Sequence, residues 1–173
     1  ESMKKISLNT SVSTIGKGTP ANELTYQLPS GDFTAKIMID SYAENYGLGG
    51  GVIVHLGNGK FVTLQRGYND KGARILCTGE GVKTADIQDF LTGAKNKPYI
   101  VTVKVENGTL SLIGGFYENN TRTFASVKLA EGAELSIGVF AISESDESNQ
   151  DFVFSNFSIN DVEIPFALDA SAG

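Results

Sequence analysis

The sequence predicts an all-β chain folded as an antiparallel sandwich or barrel, with at most one short helix. Three observations predict it. Apolar residues recur at every second position through most of the chain, turn residues separate these runs, and two Asn-Gly dipeptides sit between alternating segments.

The expected strands follow in order. TAKIMID (34–40) alternates after the turn residues Pro29-Ser30-Gly31. GVIVHL (51–56) and KFVTLQR (60–66) flank Asn58-Gly59, and RILCTG follows Asn69-Asp70. TADIQDFLTG breaks the period: Thr84 is placed as an N-cap, Ile87, Phe90 and Leu91 stand at helical spacing, and Gly93 is a stop. One short helix or a covering loop is expected there. YIVTVKV and TLSLIGGF flank Asn107-Gly108; ELSIGVFAI and DFVFSNFSI close the pattern after Asn119-Asn120 and Glu131-Gly132.

Asn-Gly favours a two-residue type I′ turn, because both central residues need positive φ. Around Asn107-Gly108 this puts Val101, Val103, Val105, Leu110 and Leu112 on one face. Thr102, Lys104, Glu106, Thr109 and Ser111 take the other, a separation of core from surface. Around Asn58-Gly59 the same turn pairs Leu56 with Phe61, Val54 with Thr63 and Val52 with Gln65. On the reverse side it pairs His55 with Val62, Ile53 with Leu64 and Gly51 with Arg66. Both faces are then largely apolar, which suits a hairpin in the middle of a sheet with one face in the core and the other covered or lining a groove.

Gly47, Gly49, Gly50 and Gly51 lead into a strand, not a helix, and no Gly-Lys-Ser/Thr follows, so they do not form a phosphate loop. They are expected to bend or bulge the chain where a Cβ would clash.

Composition narrows the function. With 173 residues, 40% of them hydrophobic, we expect one packed domain spanning 1–173. The net charge of −6 argues against a nucleic-acid surface, and no apolar run is long enough for a spanning helix. Cys77 is the single cysteine, which leaves no intrachain disulfide. The abrupt opening at Glu1 and the trailing ALDASAG lead us to expect a piece of a larger multidomain chain.

The ordered segments GDFTAKIMID, GVIVHLGNGKFVTLQRGY, KPYIVTVKVENGTLSLIGGFYEN and LSIGVFAISESDESNQDFVFSNFSI resemble the concanavalin A-like lectin/glucanase superfamily. They stand close to laminin-G-like and bacterial carbohydrate-associated modules, over about residues 31 to 160. The resemblance implies a jelly roll of two antiparallel sheets, with residues 1 to 28 and 161 to 168 supplying edge strands. It also implies an extracellular setting, since such modules accompany secreted bacterial glycoside hydrolases and surface proteins.

Glucanases of this fold carry an E-x-D-x-x-E run along a strand, and none is found here; Glu144-Ser145-Asp146-Glu147 lies in a hydrophilic loop. His55 is the single histidine, which excludes a multi-histidine metal site. The chain is therefore expected not to be an enzyme. We expect a carbohydrate-binding or accessory module for a polysaccharide, with an adhesive protein-interaction domain as the alternative and a glycoside hydrolase as the remote one.

Sugars are held by aromatic faces and planar polar side chains. His55, Gln65, Arg66 and Tyr68 form the expected ligand cluster, with Tyr42, Tyr46 and Tyr117 as loop tyrosines and Lys104 and Thr102 extending a polar face. No cofactor is expected. Calcium is the one metal considered, on the loop oxygens of Asn69, Asp70, Asp146 and Asp151.

Overall fold

The computed structural model describes residues 4–12, 22–79, 82–89, 97–144 and 149–166. These form two seven-stranded sheets packed face to face, the predicted all-β sandwich. The first sheet runs β1 (Lys5–Asn9), β13 (Asp151–Ile159), β4 (Phe33–Ile39), β9 (Tyr99–Glu106), β10 (Thr109–Tyr117), β11 (Asn120–Lys128), with β14 (Val162–Glu163) also on β13. The second runs β2 (Ser11–Val12), β12 (Ser136–Ser143), β5 (Leu48–Gly57), β6 (Lys60–Asn69), β7 (Gly72–Gly79), β8 (Ala85–Gln88), with β3 (Asn22–Gln27) also on β12. The pairings are antiparallel apart from β2 on β12.

The β9–β10 hairpin has the register its turn dictates. Asn107 and Gly108 both take positive φ, and Glu106 pairs with Thr109, Val105 with Leu110 and Val103 with Leu112. Val101, Val103, Val105, Leu110 and Leu112 are all buried between the sheets. Each such side chain stabilises the fold by about 1.5–3 kcal/mol.

The β5–β6 hairpin differs from expectation by one residue. Asn58 and Gly59 make the expected turn, and Gly57 pairs with Lys60. A bulge at Leu56 then shifts the register, so that His55 pairs with Phe61, Val54 with Val62 and Val52 with Leu64. The slip sorts the two faces. Val52, Val54, Val62 and Leu64 turn inward, while Ile53, His55, Phe61, Thr63 and Gln65 turn outward. An unbroken ladder would have set Thr63 and Gln65 on the same face as Val52 and Val54.

The segment expected as a helix contains a strand instead. Ala85 and Ile87 of β8 pair with Cys77 and Ile75 of β7 and alternate with exposed Asp86 and Gln88. This short period-two run outweighs the helical spacing of Ile87 with Phe90 and Leu91. Phe90, Leu91 and Gly93 lie outside the described residues.

The glycines of β5 answer to crowding. A Cβ on Gly50 would overlap the Phe152 ring, and one on Gly51 would overlap the β6 backbone at Leu64 and Gln65. Phe152, from the opposite sheet, thus lies directly on the β5 backbone. No bulge occurs at these glycines; residues 48 to 55 keep unbroken register with β12. Gly47 alone among them needs its special backbone, at φ 83, to turn the chain into β5.

Candidate functional site

One end of the sandwich carries a polar cleft of about 690 Å³, lined by Tyr42, Ala43, Glu44, Tyr68, Lys71, Gly72, Ala73, Arg74 and Gln88. Three stretches build it. The 42–44 segment is held by Gln150, whose Nε2 donates to the Tyr42 carbonyl at 2.7 Å and whose Oε1 accepts from the Glu44 backbone N–H at 2.9 Å. Buried Ala43 plugs this segment into the core. Tyr68 stands one residue before the end of β6, where its carbonyl accepts from the Gly47 N–H at 3.2 Å. The turn to β7 is shaped by Asn69, whose side-chain oxygen accepts from the Lys71 N–H at 2.9 Å.

Arg74 is fixed by Asp86 on the neighbouring strand: Nε donates to the carboxylate, and Nη2 donates to the Asp86 carbonyl at 3.0 Å. That guanidinium holds the Asp86 carboxyl below the usual carboxylate range. The cleft therefore presents two phenol rings, two cations, a carboxylate and a primary amide. This set can stack on apolar ring faces and hydrogen-bond hydroxyls from several directions.

The outward face of the second sheet is the second feature. Ile53 and Phe140 face away from the other sheet and are nevertheless fully buried, in a small cluster with Ile142 and Phe61. Glu23 of β3 reaches across β12 to His55 of β5, Oε2 to Nε2 at 2.6 Å. The path runs over Gly138, where a Cβ would sit 2.9 Å from Glu23 Oε2. Thr25 Oγ1 donates to the same oxygen at 2.6 Å. Thr63 and Thr78 share a hydroxyl hydrogen bond of 2.8 Å beside it, and Gln65 folds over Gly49.

The residues expected in one cluster are thus distributed over several places. His55 and Gln65 share the outward face, and Tyr42 and Tyr68 share the cleft. Tyr46 stands 60% exposed in the loop that precedes β5. Arg66 is corrected: it points into the sandwich and is fully buried, because it alternates in phase with the inward Val62 and Leu64 of β6. There Nε and Nη2 grip Asp89 at 2.9–3.1 Å, and Nη1 donates to the carbonyls of Ile39 and Lys97. Its guanidinium carries no surface for a ligand. Burial pushes the Asp89 carboxyl up from its ordinary value, against the pull of Arg66.

Tyr117 lines a separate side pocket of about 520 Å³ with Tyr99, Phe116 and Arg122, and Lys97 lies 5.1 Å from its ring centroid. Burial raises the Tyr99 phenol. Lys104 stands on the outward face of the first sheet, 3.6 Å from Glu106, on a different layer from the cleft.

The calcium candidates among the described residues are not brought together. Asn69 binds Asp86 and the Lys71 N–H, Asp70 is exposed at the β6–β7 turn, and Asp151 accepts from Asn9 on the first sheet. Asp146 lies outside the described residues. Among the described residues no group of three or more His, Cys, Asp or Glu side chains could hold a metal ion.

Sequence reasoning did not find Glu44, Lys71, Arg74, Gln88 or Glu23. Glu44, Lys71 and Arg74 flank the tyrosines in sequence, so proximity to Tyr42 and Tyr68 was an available signal. Glu23 had none, since its partner lies 32 residues away across an intervening strand.

No protein-family model and no curated protein matches this chain. Solved structures do. A functionally unknown protein from Saccharomyces cerevisiae is 15% identical with a TM-score of 0.65, the match covering 90% of this chain and 87% of that one. A GH43 glycoside hydrolase engineered for both endo-xylanase and exo-arabinofuranosidase activity is 14% identical with a TM-score of 0.69, covering 90% of this chain and 34% of that one. A xylan β-1,4-xylosidase from Bacillus halodurans is 11% identical with a TM-score of 0.63, covering 90% and 33%.

The chain spans about a third of the length of these hydrolases. At such identities the likeness is one of fold, consistent with a two-sheet antiparallel sandwich. It also corrects one expectation. The chain was expected not to be an enzyme, yet the solved structures it resembles include several named glycoside hydrolases. The absent E-x-D-x-x-E run was too narrow a criterion, because it tested a single strand motif and no other arrangement of carboxylates.

Proposed function

We propose that this chain is the glycan-engaging sandwich of a polysaccharide-degrading glycoside hydrolase that works outside the cell. In this reading a polysaccharide lies in the cleft between Tyr42 and Tyr68. The observation that carries it is the cleft itself: two tyrosines beside Glu44, Lys71, Arg74 and Gln88 around about 690 Å³, room for a sugar ring and its hydroxyls. The glycoside hydrolases among the structural neighbours support the carbohydrate chemistry, and their greater length supports a longer parent chain. The jelly roll is read as concanavalin A-like on the same grounds as in the sequence. Hydrolysis of a glycosidic bond takes two flanking carboxyl groups. Among the described lining residues the carboxylate is Glu44, so the cleft is read as holding the glycan, with no pair of hydrolytic carboxyl groups assigned to it.

Native electrophoresis through gels containing xylan, arabinoxylan, β-glucan or alginate tests the reading. The protein is expected to be retarded by at least one of them. Tyr68→Ala should lose most of that retardation, and Lys104→Ala, on the other layer, should keep it. Retardation by none of these gels, or Tyr68→Ala running like the parent in the retaining gel, would refute the assignment.

A further inference from the structure

We infer that the outward face of the second sheet carries a glycan subsite in which Glu23 and His55 hydrogen-bond two neighbouring hydroxyls of a neutral sugar. The inference rests on the glycan reading above and extends it to a second place on the molecule. The Glu23 side chain is 9% exposed. Its Oε2 already accepts from His55 Nε2 and Thr25 Oγ1, while Oε1 is buried with no hydrogen-bond partner among the described residues. A buried carboxylate oxygen without a donor is costly, and a ligand that brings a donor recovers the loss. The terminal torsion of a glutamate is soft, so the carboxyl can turn Oε1 toward an arriving group.

His55 completes the arrangement. With Nε2 committed to Glu23, Nδ1 is the ring nitrogen left for a ligand, on a side chain 23% exposed, and a hydroxyl can either donate to it or accept from it. The half-buried Phe61 ring, 6.4 Å from the imidazole centroid to centroid, adds an apolar surface for sugar C–H groups. The Glu23 oxygen is an acceptor, so the ligand must supply a donor there. Vicinal hydroxyls do so. A uronate would set its own carboxylate against Glu23, on a chain whose net charge is already −6.

His55 is the single histidine of the chain, so its ring resonances report this site alone. The experiment is a ¹⁵N imidazole NMR titration of the protein with xylotetraose, with cellotetraose and with an alginate tetrasaccharide. A neutral tetrasaccharide is expected to move the His55 ring signals, and the alginate fragment to leave them in place. Glu23→Gln should weaken that neutral binding about tenfold. Gly138→Ala should weaken it as well, because its Cβ would stand 2.9 Å from Glu23 Oε2 and 3.1 Å from Ile53 Cγ2 and so push Glu23 away from His55; circular dichroism confirms that both variants are folded. The inference is overturned if neither neutral tetrasaccharide moves the His55 signals, if the alginate fragment moves them equally, or if both folded variants bind as the parent does. Retention in a polysaccharide gel together with unmoved His55 signals would leave the cleft reading standing and remove only this subsite. Loss of all gel retention would remove the cleft reading first.

Discussion

Replacing Asp89 with Asn should remove much of the stability of this sandwich. Arg66 and Asp89 are both fully buried, and the guanidinium also donates to the Ile39 carbonyl at the end of β4 and the Lys97 carbonyl before β9. One side chain therefore ties the second sheet to the first. Asn keeps the shape of Asp89 but not its charge, which leaves a buried guanidinium without its counterion. Breaking one side of such a pair costs about 3–5 kcal/mol, against a typical total of about 5–15 kcal/mol. With a guanidinium m-value of about 4 kcal/mol/M, the unfolding midpoint should fall by about 1 M. Circular dichroism in guanidinium chloride measures it. Arg66→Met provides the pH arm. Burial already raises the Asp89 carboxyl above 3.8, and loss of Arg66 raises it further. A raised folded value favours the neutral acid, so Arg66→Met should be least impaired below about pH 4 and lose stability as pH rises toward the folded value. A midpoint for Asp89→Asn within about 0.2 M of the parent, or an Arg66→Met deficit equal at about pH 4 and pH 7, would refute the reasoning.

Two further outcomes follow from the packing between the sheets. Gly50→Ala sets a Cβ against Phe152, whose own Cβ would lie 2.9 Å away, in a core position with no free space. Overpacking of this kind costs about 1–3 kcal/mol, or roughly 3–10 °C in Tm by calorimetry; an unchanged Tm would contradict the contact. Cys77 is fully buried, and burial pushes its thiol up to about 11. It should resist a thiol reagent at about pH 8 in the native protein and react at once in denaturant, whereas rapid native labelling would place the thiol at the surface.

The alternation of Val101, Val103 and Val105 against Thr102 and Lys104 was legible in the sequence, together with its partner strand. The reason is local: an Asn-Gly turn accepts positive φ at both residues, and a period of two admits one assignment of faces. The glycines at 49 to 51 were legible as relief from crowding, although not which ring would press on them. The β5–β6 hairpin shows where local reasoning stops. Its turn was predicted correctly, but one bulged residue, Leu56, reversed the faces of everything N-terminal to it in the strand. No feature of the Asn-Gly turn encodes that bulge.

By itself, then, the sequence determined the layered antiparallel class and the one hairpin whose faces are unambiguous, because strand period and turn stereochemistry act over a few residues. The tertiary structure alone decided that Arg66 is a cross-layer tie to Asp89, that Tyr42 and Tyr68 line one cleft, and that Glu23 meets His55 over Gly138. Those arrangements join segments that are apart in the chain. They depend on which face of each strand its neighbours bury, and that is settled only when both sheets close on a common core.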